Sequence, residues 1–180
     1  RGYFVFCAMK LMDAVHGGDT AALIALLASG GAAAREALEE RDTTHRMSAL
    51  HWAASLDEVD CLEVLIRAAP SAVSTSRSSH GMSALHHAAA NNCLRAIGVL
   101  IAHAPVDDAN EWQETALHLA AAAGHTSVCA ALVSAGARAD ALDEARDGAR
   151  VRGARLEPHA VRRHGRGVRT RAERSAKNGG

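Results

Sequence analysis

Residues 48–54 read Ser-Ala-Leu-His-Trp-Ala-Ala, residues 83–89 read Ser-Ala-Leu-His-His-Ala-Ala, and residues 115–121 read Thr-Ala-Leu-His-Leu-Ala-Ala. The motif leucines Leu50, Leu85 and Leu117 stand 35 and 32 positions apart. Self-similarity at such a period marks a stacked array, in which each short unit buries its apolar face against the next. Ser48, Ser83 and Thr115 are N-cap residue types, whose hydroxyls accept a hydrogen bond from an orphan N–H of the first turn. Leu50, Ala53 and Ala54 fall on one helical face at i, i+3, i+4. The paired alanines are small enough to let neighbouring units approach closely.

Ten or so residues beyond each motif leucine comes a second apolar set. It is Cys61, Leu62, Leu65 and Ile66 in one copy, Ala96, Ile97, Leu100 and Ile101 in the next, and Val128, Cys129, Leu132 and Val133 in the last. The spacing i, i+1, i+4, i+5 is again one helical face. Between the two sets lies Asp57, Asn92 or Gly124, residue types that tolerate the left-handed backbone of a helix stop. The second helix is expected to end at Ala69-Pro70, at Ala104-Pro105 and at Gly136. Two short antiparallel helices per unit follow.

The motif resembles the ankyrin repeat, whose signature is T-P-L-H-x-A at a period of about 33 residues. Ala49, Ala84 and Ala116 replace the family's usual proline, and both residue types fit a first helical turn. With that template Leu11, Ala14, Val15, Gly18, Leu23, Leu26, Leu27 and Gly30 match the same positions in a degraded first unit. Leu11 precedes Leu50 by 39 positions, so this unit carries an insertion, placed in the Ala- and Glu-rich stretch from Ala32 to Arg41. Terminal repeats are atypical because one face meets water. The expected architecture is an all-α solenoid of helix–turn–helix units with short hairpin loops. Its units run approximately 9–42, 43–77, 78–109 and 110–142, after an N-terminal extension over 1–8 and before a basic tail over 143–180.

Charge divides the chain the same way. Residues 141–180 hold ten Arg and one Lys against five acids, a net of +6, and residues 1–140 hold 9 bases against 15 acids, a net of −6. Where another motif is due, the chain reads Arg146-Asp147-Gly148-Ala149-Arg150 and continues in Arg, Gly and Ala. Such a segment buries too little apolar surface to offset its ordering entropy, so a disordered tail is expected. Two other readings stay open: the product of a shifted or misspliced frame in GC-rich DNA, and a basic arm that neutralises phosphates of nucleic acid or an acidic membrane. Arg162–Arg171 has no aromatic to stack bases, which argues against specific nucleic-acid recognition. Without a C-terminal cap, Leu132 and Val133 are expected to be partly exposed. A chain beginning at Arg1 reads as a fragment.

Only 3% of residues are aromatic against 48% hydrophobic, so the core is aliphatic and alanine-rich. Cys7, Cys61, Cys93 and Cys129 form no CxxC pair and read as free thiols of a cytoplasmic or nuclear protein. No segment reaches the roughly 18 apolar residues of a membrane span. His51, His86 and His118 recur at one repeat position, which argues for structure over metal binding or catalysis; in the family this histidine bonds near the helix start and to the adjacent hairpin. His87 cannot share the helical face of His86. There is no nucleophile–base–acid set, Gly-rich phosphate loop or HExxH, so no enzyme activity, cofactor, metal or small-molecule substrate is expected.

The resemblance implies a protein–protein interaction module that docks its partner on a concave face of hairpin tips and first helices. Carried over by position, that face comprises Thr44, His45 and Met47; Ser79, His80 and Met82; Glu111, Trp112 and Glu114; and the helix residues Ser55, Leu56, Ala90, Asn91, Ala122 and Ala123. Trp112 is the central candidate, because the framework asks for no large aromatic at a hairpin tip and aromatics are enriched among binding hot spots. Its alternative is to cover a neighbouring hairpin. Trp52 reads as packing between units, and Met47 and Met82 read equally as an adaptable apolar pair or as hairpin filler. Arrays of this kind also occur as targeting arms of kinases, ubiquitin ligases or acyltransferases, which is the alternative function.

Overall fold

The computed structural model describes residues 2–29, 37–139, 150–151 and 154–155, with side chains from residue 9 to 139. Four antiparallel helix pairs stack in one direction. They are α1 (Gly2–His16) with α2 (Thr20–Ser29), α3 (Ala49–Ser55) with α4 (Val59–Ala68), α6 (Ala84–Ala90) with α7 (Leu94–Leu100), and α8 (Ala116–Ala123) with α9 (Thr126–Ser134). The first helices make one layer in the order α1, α3, α6, α8, and the second helices make another in the order α2, α4, α7, α9. A single turn, α5 (Ala72–Thr75), lies between the second and third pairs.

Each pair is closed by the same backbone device. Gly18, Asp57, Asn92 and Gly124 all have positive φ, at 64°, 59°, 60° and 77°. The next residue then donates its N–H five residues back: Asp19 to Ala14, Glu58 to Ala53, Cys93 to Ala88 and His125 to Ala120, at 2.8–3.0 Å. The left-handed step thus satisfies one of the carbonyls that a helix end orphans and reverses the chain. The first unit shares this geometry although its motif is degraded.

The core sits between the layers and runs unbroken through the stack. Ala53, Ala54, Ala88, Ala89, Ala120 and Ala121 are fully buried where first helices meet, and Leu62, Ile97 and Cys129 are fully buried on the second helices. The expected stops hold at Asp57, Asn92, Gly124 and Gly136, the last with φ 98°. The stop at Ala69-Pro70 holds too, with α4 ending at Ala68 and Ala69 as its C-cap, whereas α7 ends at Leu100, earlier than Pro105 suggests, before a turn over 101–104. α1 begins at Gly2, so the 1–8 extension continues the first unit's helix.

Of the insertion after α2, residues 30–36 lie outside the described residues. Beyond them Ala37 and Leu38 are buried in a helical turn, and Val73 of α5 is buried too, so both long connections return apolar side chains to the core. Leu132 is fully buried and Val133 half-buried, so the expected exposure of Leu132 is corrected. Of the basic tail, Arg150–Val151 pairs antiparallel with Ala154–Arg155, and this short ladder lies against α8. The rest of residues 143–180, and with it the expected disorder there, lies outside the described residues.

The hairpins between units stack on one another. Each closes with a backbone bond, from Asp42 to Met47, Ser78 to Met82 and Asn110 to Glu114, all 2.9 Å. Successive tips are joined by Ser79 N–H to the His45 carbonyl at 2.9 Å and Glu111 N–H to the His80 carbonyl at 3.0 Å. Gly81 has φ +71°, and a Cβ there would stand 3.3 Å from the Glu111 nitrogen. Gly81→Ala is therefore expected to cost about 1–2 kcal/mol through backbone strain and displacement of the next tip. A urea melt with an unchanged midpoint would refute this.

Candidate functional site

The repeated histidine starts each first helix beside the hairpin tips. Ser48, Ser83 and Thr115 have extended N-cap backbones, with ψ of 168° to 171°, and each forms a reciprocal capping box with the histidine three residues on. The cap N–H donates to the imidazole Nδ1 at 3.1–3.2 Å, and the cap hydroxyl lies 2.7–2.9 Å from the same atom. An accepting Nδ1 fixes the proton on Nε2. In His86 that Nε2 donates to the Glu114 carbonyl of the next hairpin at 2.9 Å, so one side chain starts a helix and docks the following tip. In His51 the Nε2 has no well-formed hydrogen-bond partner, although the Met82 and Ser76 backbones stand close enough to favour its protonated form slightly.

Burial drives His51 down to about pKa 3, with His87 and Arg41 adding to the shift. Burial likewise lowers His86, and lowers His87 to about 4 with help from His86 and His45. These imidazoles are neutral struts at physiological pH. His87 faces away from His86, as the helical spacing requires: its Nε2 lies 2.7 Å from the Ser78 hydroxyl, and its ring meets His51 edge-on at 5.5 Å. Among the described residues no group of three or more His, Cys, Asp or Glu is placed to hold a metal ion.

At the first tip Asp42 is the organiser. Burial opposes its ionisation, but the N–H groups of His45, Thr44 and Met47 and the Trp52 indole outweigh that and hold the carboxyl below the usual range. The indole Nε1 donates to Asp42 at 3.0 Å, and Trp52 packs against the rings of His16 and His45 with centroids at 4.6 and 6.3 Å. Trp52 is thus packing between units. His16, in the last turn of α1, carries no motif signal and only the stacking brings it here. Asn110 plays the part of Asp42 at the last tip, its Oδ1 accepting the N–H groups of Trp112 and Glu114 at 2.9 Å each.

Of the residues expected on the contact face, not all are open. Thr44 and His45 are exposed. Met47 is 4% exposed and buried, so it is not part of an open contact surface: the chain turns its side chain inward. Ser79 and Met82 are half-buried, and the Ser79 hydroxyl donates to the His45 carbonyl at 2.7 Å. Ser55 is half-buried under the Asn91 amide, which donates to it at 2.7 Å, while Leu56 and Asn91 are exposed. Ala90 is half-buried with its carbonyl 3.1 Å from the His125 Nε2, and Ala122 and Ala123 are exposed. Glu111 is exposed and Glu114 half-buried.

Trp112 is 43% exposed and stacks on His80, with centroids 4.6 Å apart and ring planes at 28°. One ring face therefore covers the neighbouring tip and the rest of the side chain meets solvent. Exposed Leu56 and Leu94 lie at the opposite edge, where the helix pairs turn.

The family description "Ankyrin repeats (3 copies)" matches residues 70–143 and "Ankyrin repeat" matches residues 45–75. Comparison with curated proteins returns no match. Among the described residues no helix is long and apolar enough to cross a membrane.

Proposed function

The chain belongs to the ankyrin-repeat family, whose members are generally protein-interaction modules, and from that premise we propose that it binds a partner protein on the face of hairpin tips and first helices. Trp112 carries the reading. A large aromatic held at a tip by His80 and by the Asn110 turn, yet 43% exposed, is a rigid anchor that loses little entropy on binding. His45, Glu111 and the small residues Ala122 and Ala123 extend the surface around it. The chain acts by binding, without covalent chemistry of its own. Buried, unpaired Cys61, Cys93 and Cys129 support a cytoplasmic or nuclear setting.

Peptide segments selected from a display library against the full chain provide the test. Trp112→Ala is expected to weaken them at least roughly tenfold, about 1.4 kcal/mol or more. A control pair on the outer side of α4, Glu63→Lys with Arg67→Glu, is expected to leave them unchanged. Binders sensitive to the α4 pair and indifferent to Trp112 would place the surface on the other side of the array.

A further inference from the structure

We propose that the Trp112 tip receives the guanidinium of an arginine in an extended segment of a partner protein. The inference rests on the binding face described above and names the chemistry that face recognises. One face of the Trp112 ring is covered by His80, and the residue keeps 43% of its surface in solvent. A planar guanidinium stacks on an indole face, and its N–H fork can pair with a carboxylate at the same time.

Glu111 and Glu114 flank Trp112 on the same hairpin. The Glu111 side chain is 66% exposed and leans toward His80, whose Nδ1 stands 3.9 Å from its carboxylate, so it swings away from His80 to meet a guanidinium on the open ring face. Glu114 is held in place by the Asn110 amide, which donates to its Oε2 at 2.9 Å and leaves acceptor capacity on the carboxylate. Arg77, in the loop before the third unit, is committed to Asp108 at 2.7 Å. Residues 1–140 carry a net charge of −6, a field that favours the approach of a cation. An anionic segment would be repelled here, and a purely apolar anchor would desolvate Glu111 without a counter-charge. Arginine is favoured over lysine because only the planar group both stacks and forks.

The test titrates the full chain with short labelled Gly-Ser peptides bearing three arginines, three lysines or three glutamines, read by fluorescence anisotropy at low salt. The arginine peptide is expected to bind, the lysine peptide several-fold more weakly, and the glutamine peptide not at all. Trp112→Ala and the pair Glu111→Gln with Glu114→Gln are each expected to weaken the arginine peptide roughly tenfold. Trp112→Phe, which keeps a stackable ring, is expected to retain part of the affinity. The control pair Asp60→Asn with Glu63→Gln, on α4, is expected to change little.

Equal binding of arginine and lysine peptides, with no effect of Trp112→Ala, would reduce the interaction to net charge and overturn the proposal. Binding that appears only after Arg162, Arg163, Arg166, Arg169 and Arg171 are replaced by glutamine would identify the chain's own tail as the occupant and overturn the assignment to a partner. Display binders that need Trp112 but contain no arginine would sink this inference while the binding face stands.

Discussion

His86→Ala is expected to lower the unfolding free energy by about 3 kcal/mol, the sum of a cavity, a lost inter-unit hydrogen bond and an unsatisfied buried donor. His86 is fully buried and joins three groups: the Ser83 N–H at 3.2 Å, the Ser83 hydroxyl at 2.7 Å and the Glu114 carbonyl at 2.9 Å. Alanine would leave the Ser83 N–H, on a residue 2% exposed, without an acceptor. The Glu114 carbonyl would keep the Asn110 N–H at 2.9 Å, so only one backbone group is orphaned. Because each unit is stabilised mainly by its neighbours, weakening the third-to-fourth junction is expected to broaden the unfolding transition as well as shift it. His51→Ala is expected to cost about 1 kcal/mol less, since the His51 Nε2 makes no bond to the next hairpin. Equal losses in the two variants, measured by urea denaturation, would show that the inter-unit bond contributes nothing.

Lowering the pH from 7.5 to 5.5 is expected to remove about 2 kcal/mol of stability, roughly 8 °C in Tm. His51 and His87 are pushed down to about 3 and 4 by burial, and His86 is lowered by the same cause. A neutral buried imidazole takes up a proton once unfolding exposes it, so below an unfolded pKa of about 6.5 the unfolded state gains as pH falls. The stabilisation is therefore complete above that value and declines until the folded-state values near 3–4 are reached. His87 is only half-buried, and solvent trims its share. Asp42 does not account for a loss in this window, because a depressed carboxyl gives stability that is lost mainly as pH falls below its unfolded value of 3.8. His87→Gln is expected to flatten the pH dependence. A His51 ring-proton resonance that titrates near pH 6.5 in the folded chain would contradict the argument.

The helix pairs, their stops and the recurring histidine were legible from residue types alone. The motif leucines, the alanine pairs and the left-handed positions at Asp57, Asn92 and Gly124 are local requirements of a helix start, a close-packed face and a chain reversal. Gly18, read from a degraded unit, adopts the same conformation for the same reason. Met47 was not legible in this way. It occupies a tip in sequence, and a tip residue turns inward or outward according to the neighbouring unit that it meets.

The amino-acid sequence by itself determined the repeat, the pairing of helices within each unit, and the buried role of His51, His86 and His118, because those follow from short-range spacing and capping chemistry. Only the tertiary structure decided which tip residues remain available to a partner. Stacking one unit on the next placed His80 under Trp112, Ser79 on the His45 carbonyl, Asn91 on Ser55 and His16 on Trp52. These contacts join residues roughly 30–40 positions apart, and no local periodicity encodes them, since they depend on how units of unequal length come into register.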